Sequence, residues 1–174
     1  MAGSRMLSEI QDCLNKRKRK LKKEKVSPMD MKKLREEIEY DEGVVNKIYL
    51  DHLGYPTFGI GHLVRDTDPE HGLPVDHPVS ESRIEEAFQQ DMNWVESDCI
   101  KMFAEFREYP EEVQRVIANM MFNLGYTRLN KFNNFKAAIR ENDWKEAAKE
   151  GRDSRWHKQV TNRAERLMIR LENV

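Results

Sequence analysis

From Ser80 onward, apolar positions recur every three or four residues. Ile84, Phe88, Met92, Val95, Cys99, Met102 and Phe106 form one such stripe, which predicts a single long amphipathic helix. Ser82 and Glu85 have capping-box spacing, and Ser80 is an alternative cap. The next run, EEVQRVIANMMFNLG, carries Val113, Val116, Ile117, Met120, Met121 and Leu124 together with Ala118 and Phe122. A helix that is apolar over most of its circumference belongs at the centre of a core, and Gly125 is its predicted stop. Shorter helices are predicted over 133–141, 143–151 and 161–172. The last has Val160, Ala164, Leu167, Met168 and Leu171 on its inner side.

Ahead of Ser80 the pattern changes twice. MKKLREEIEYDEG predicts a helix that starts near Met29 or Asp30, sets Leu34, Ile38 and Tyr40 near one face, and ends at Gly43. In VVNKIYLDHLGYPTFGIGHLV, the strand formers Ile48, Tyr49, Tyr55, Thr57, Phe58 and Ile60 flank the turn His52-Leu53-Gly54, which predicts a hairpin. Residues 64–79, with three prolines and a glycine, read as an irregular connection. The whole is an α+β fold. A small lobe with the hairpin (31–79) and a larger helical lobe (80–174) are joined by the long helix.

Charge adds a third part. Net charge is −1, yet residues 1–30 hold nine Lys or Arg against four Asp or Glu, leaving 21 against 27 for residues 31–174. The chain thus divides into a basic N-terminal arm, helical or disordered, and an acidic domain over 31–174. Leu7, Ile10 and Leu14 make too short a stripe for a core of their own. Cys13 and Cys99 are too few for a disulfide framework and read as reduced thiols without chemistry. No apolar stretch is long enough to span a bilayer, and no apolar segment adjoins the basic run as a secretory signal requires.

For chemistry, the arrangement to weigh is a pair of carboxyls. Glycoside hydrolysis usually needs two, one protonated and one ionised, on either side of the scissile bond. Glu42 ends the first helix, Asp51 ends the first hairpin strand, and Thr57 follows on the returning strand. Spacing does not select this pair among 31 acidic residues. A solvated helix end and a turn aspartate fit the same positions.

The wider string is more specific. YDEGVVNKIYLDHLGYPTFGIGHL closely resembles the catalytic segment of phage-type lysozymes, through Glu42, Gly43, Asp51, Gly54, Tyr55, Thr57, Gly59, Ile60, Gly61 and His62. The likeness runs more thinly over about 31–172, where ANMMFNLG resembles the family's buried helix and GRDSRWHKQVTNRAERL its C-terminal signature. The resemblance implies a two-lobed lysozyme fold and hydrolysis of the β-1,4 bond between N-acetylmuramic acid and N-acetylglucosamine, with inversion. It casts Glu42 as proton donor and has Asp51 support a water that Thr57 helps to hold. A threonine hydroxyl suits that task because it both donates and accepts. An acid at Glu42 has to keep its proton, which calls for a partly desolvated site. Arg163 matches the family arginine that pairs with the glutamate, and is expected to organise the site. The family pattern pairs this histidine with an aspartate on the long helix, so the resemblance implies a structural ion pair between His62 and Asp91, which borders an apolar stripe where a carboxylate needs a partner. Leu53, Tyr55, Phe122 and Asn123 are the expected substrate contacts, while Trp156 reads as core. This chemistry requires no metal or organic cofactor, and no His or Cys set has zinc-ligand spacing.

Two other classes stay in view. One is a virion or tail component that only binds the wall, for which a proton donor has no use. The other is phosphate, nucleic-acid or virion contact through Lys16–Lys25, which needs charge more than a fold. The expected partner is bacterial peptidoglycan, bound by a monomer. The expected setting is the cytoplasm of a phage-infected bacterial host, with access to the wall through holin-type release or from a virion. If the arm targets the wall, its removal is expected to weaken clearing of whole walls more than cleavage of soluble oligosaccharides.

Overall fold

The computed structural model describes residues 27–174. Residues 1–26 of the arm, with Cys13 and Lys16–Lys25, lie outside the described residues. Helix α1 (Met31–Glu42) starts where the Asp30 side chain accepts from the Lys33 N–H at 3.1 Å. Leu34 and Ile38, one turn apart, are fully buried. Tyr40 is not on that face. It is 79% exposed, because two residues beyond Ile38 is more than half a turn away. Gly43 stops the helix at φ 74°, a conformation that favours glycine, with its N–H on the Glu39 carbonyl at 2.8 Å.

Strands β1 (Val45–Leu50), β2 (Pro56–Gly59) and β3 (His62–Leu63) form an antiparallel sheet in that order, so the expected hairpin gains a third strand. Tyr49 pairs with Thr57 and Leu50 with Pro56, and a bulge separates Val45 from Tyr49. Ile48 and Phe58 point into the core. The connection after β3 then returns along the outer edge of β1. Ile48 N–H donates to the His77 carbonyl (2.9 Å), Asp76 N–H to that of Ile48 (2.8 Å) and Val79 N–H to that of Asn46 (2.9 Å).

The long helix α2 (Glu81–Met102) is capped by Ser80, whose hydroxyl accepts from the Arg83 N–H at 3.3 Å; the Ser82 box does not form. Phe103 ends it earlier than the stripe suggests, and Phe106 is buried from a 3₁₀ turn (Phe106–Glu108). Helix α3 (Glu111–Leu129) crosses the core with Val113, Val116, Ile117 and Met120 fully buried. Gly125 kinks this helix at φ 69°, ψ 163°, and helical turns resume to Leu129. The remaining helices are α4 (Asn133–Arg140), α5 (Trp144–Arg152), α6 (Arg155–Gln159) and α7 (Thr161–Glu172). The five-residue α6 has no counterpart in the sequence reading, being too short to show a period. Helix α7 buries Ala164, Leu167, Met168 and Leu171 against α5 and α3. Cys99 is fully buried, and that burial pushes its thiol far above the usual range, so it is inert as a nucleophile. No helix among the described residues is long and apolar enough to cross a membrane.

Candidate active site

Glu42 occupies the last position of α1, where the Gly43 turn releases its side chain toward the sheet. Its side chain is 27% exposed, and Oε1 accepts from Arg163 Nη1 at 2.5 Å. Oε2 faces Gly61. A Cβ added at Gly61 would stand 3.9 Å from Oε2 and Cγ of Glu42 and 3.9 Å from a ring carbon of Phe122. Bare backbone at Gly61 therefore keeps a gap open between the carboxyl and the Phe122 ring.

Arg163 reaches Glu42 from the first turn of α7 and is 7% exposed. Such a buried guanidinium needs its donors filled. Nε donates to Asn119 Oδ1 (2.8 Å) and lies 3.3 Å from Asp41 Oδ2, while Nη2 donates to the Asn119 carbonyl (3.3 Å). Asp41 is in turn bound by Arg166, whose guanidinium lies 5.0 Å from the Tyr40 ring centroid. Asp41, Asn119 and Arg166 were not among the expected residues, because isolated charged or polar positions on helices look the same as solvated ones.

Asp51 is the first residue of the turn after β1. Its Oδ1 accepts the N–H groups of Leu53 (2.8 Å) and Tyr55 (2.9 Å). The Tyr55 N–H above all, aided by that of Leu53 and opposed by partial burial, holds the carboxyl below the usual carboxylate range. Thr57, 4% exposed, donates from its hydroxyl to the Tyr55 carbonyl at 3.0 Å. Tyr49 faces Thr57 across the strands. Burial, then the charge of Glu42, then that of Asp51, raise its phenol above the ordinary value. Both carboxylates thus bear on one phenol.

The expected substrate contacts divide. Leu53 (61%) and Tyr55 (55%) stand exposed on the hairpin turn, and Phe122 is half-buried beside Gly61. Asn123 is already engaged, its Oδ1 accepting from Trp156 Nε1 at 2.7 Å. Only its amide N–H groups remain for a ligand. Trp156 is 3% exposed and belongs to the core. Leu63 pairs with Thr57 and is 46% exposed, an apolar side chain on the sheet that the reading passed over. A cleft of about 1010 Å³ opens beside the hairpin turn, lined by residues that include His52, Leu124, Phe132, Asn134, Trp156 and Gln159.

His62 and Asp91 do pair, Nδ1 to Oδ2 at 2.8 Å, but the ring has a second carboxylate. Its Nε2 meets Asp68 Oδ2 at 3.1 Å. Arg65 joins Asp91 at 3.1 Å and Arg83 joins Asp68 at 3.0 Å. His62 is 2% exposed, and burial disfavours its charged form, yet the hydrogen bonds and charges of Asp91 and Asp68 prevail and raise its pKa.

A family model described as phage lysozyme matches residues 39–173. The chain belongs to the phage lysozyme family. This lysozyme is 32% identical over 148 residues to the pre-baseplate central spike protein Gp5 of Enterobacteria phage T4, covering 74% of this chain and 26% of that protein. The chain thus spans about a quarter of the spike protein's length. It is also similar to two proteins of Dictyostelium discoideum, probable T4-type lysozymes 2 and 1. It is 26% identical to the former (78% of this chain, 91% of the relative) and 27% identical to the latter (80% and 93%). Membership makes the chain an enzyme of the lysozyme type, a peptidoglycan hydrolase.

Proposed function

We propose that this lysozyme hydrolyses the β-1,4 bond between N-acetylmuramic acid and N-acetylglucosamine, with Glu42 as general acid and inversion at the anomeric carbon. The observation that carries this reading is the placing of Glu42. One oxygen is bound to the Arg163 guanidinium, and the other is turned toward the gap kept by Gly61. In this reading Arg163 orients the carboxyl, and the free oxygen delivers the proton to the leaving sugar.

The second half of the reaction falls to Asp51 and Thr57. The Thr57 hydroxyl spends its proton on the Tyr55 carbonyl, so toward a water it acts as acceptor. Asp51 uses Oδ1 on two backbone N–H groups, which leaves Oδ2 to accept. A water that donates to both keeps a lone pair for the anomeric carbon. Inversion calls for carboxyls roughly 6.5–9.5 Å apart, room for that water.

Peptidoglycan digestion with product analysis tests this. Wild type is expected to release muramic-acid reducing ends, the first anomer opposite to that of the substrate, and Glu42→Gln to lose activity at least 1000-fold, on the order of a general-acid contribution and more. Glucosamine reducing ends, a retained anomer or an active Glu42→Gln enzyme would each refute the matching part. The likeness to a spike protein favours a second reading of deployment, from a phage particle. Its measurement is whether the chain co-purifies with particles.

A further inference from the structure

We propose that Tyr49 is a further substrate-contacting residue, its hydroxyl donating a hydrogen bond to an oxygen of the sugar at the scissile bond. The proposal rests on the lysozyme reading of Glu42 and Asp51. Tyr49 is the direct partner of Thr57 across β1 and β2, and opposed residues of an antiparallel pair project from one face. Asp51 lies two positions further along, at the start of the turn, where its N–H donates to the Tyr55 carbonyl at 2.9 Å and its charge reaches the Tyr49 phenol. The opposite face, with Ile48 and Phe58 fully buried, belongs to the core. Tyr49 itself is half-buried. A tyrosine hydroxyl in that setting usually finds a partner, yet this one makes no hydrogen bond with any described residue.

The electrostatics agree with the placement. Burial above all, then the charges of Glu42, from the end of α1, and of Asp51, from the turn after β1, raise the phenol above its ordinary value. An ionised carboxylate such as Asp51 can only accept, and the single proton that Glu42 carries as general acid goes to the leaving oxygen. Any other acceptor oxygen on an N-acetylated sugar held between these two groups therefore needs a donor from elsewhere. Arg163 is committed to Glu42, Asp41 and Asn119. Tyr49 supplies a neutral donor directly opposite Thr57 on the sheet. A bond to a ring that distorts on the way to the transition state tightens there, so its loss shows in kcat more than in KM.

Tyr49→Phe removes the hydroxyl and keeps the ring. Steady-state kinetics on soluble peptidoglycan fragments, beside wild type and Glu42→Gln, are expected to show kcat reduced by about tenfold, the scale of one hydrogen bond. KM should stay within about twofold. A kcat within twofold of wild type, or a change confined to KM, overturns the proposal. A readout independent of that variant's folding is the ¹³Cζ resonance of Tyr49. Its titration is expected at lower pH in Glu42→Gln than in wild type, and an unmoved titration overturns the placement. Full activity of Glu42→Gln would sink the reading of the whole site. Full activity of Tyr49→Phe beside an inactive Glu42→Gln sinks this proposal alone.

Discussion

Asp68→Asn tests the buried imidazolium, because it removes one charge from around His62 at almost constant shape. In the native protein Asp68 meets His62 Nε2 at 3.1 Å, the Arg65 N–H at 2.7 Å and Arg83 Nη2 at 3.0 Å, with its side chain 7% exposed. An asparagine offers one acceptor oxygen and one donor group for these three donors, so at least one contact becomes donor against donor. A hydrogen bond to a charged group contributes about 1.5–3 kcal/mol, and breaking a buried pair costs about 3–5 kcal/mol. Here Asp91 still holds His62 and Glu70 still holds Arg83, so the lower end applies. The expected loss is about 3 kcal/mol, or roughly 6–12 °C in Tm for a chain of this size.

The pH dependence separates this account from a simple packing defect. His62 has a raised pKa in the folded protein. Its contribution is fully present below the unfolded value of about 6.5 and is lost as pH rises through the folded value. The gap between wild type and Asp68→Asn, from urea denaturation at a series of pH values, is therefore expected to be widest near pH 6 and to narrow on the alkaline side. A gap constant from pH 6 to pH 10, or one below about 1 kcal/mol throughout, would refute the reasoning.

Gly61→Ala places a methyl 3.9 Å from both the Glu42 carboxyl and Phe122 on a backbone at φ 72°. It is expected to cost about 1 kcal/mol of stability and to lower kcat/KM more than tenfold, as wall-clearing assays would show. Trp156→Phe removes the donor to Asn123 and is expected to cost about 1 kcal/mol, read by thermal melting, with KM raised because the amide loses its anchor. Cys99, buried and with its thiol pushed up, is expected to resist thiol reagents in the native protein and to react at once in denaturant.

What could be read from the chain was what is local. Gly43, Gly61 and the hairpin turn are set by a few adjacent residues, and so is the step from Glu42 to Asp51 and Thr57. The Leu34/Ile38 pair and the α2 stripe follow from helical period alone. Arg163, 121 residues from Glu42, was reached only through a family likeness, since nothing local marks one arginine among many. Asp68 went unseen because it sits in a connection without period, where a carboxylate looks like any turn residue. Gly125 reads as a stop, yet a glycine at positive φ is compatible with a kink when the next turn can pack again, as Leu129 does, fully buried. Ser80 prevailed over Ser82 because the helix begins at Glu81, and a cap must sit just outside the first turn.

The segment 76–79 that runs along β1 has a consequence for life at high concentration. A small sheet leaves two rows of unpaired amides and carbonyls, each able to recruit a strand from another molecule. Here one row is closed by the protein's own chain, through Asp76, His77 and Val79, and the other belongs to β3, only two residues long. Neither border is a usable template for fibrillar stacking. Lengthening or rerouting residues 64–79 would therefore endanger solubility before it disturbed the cleft.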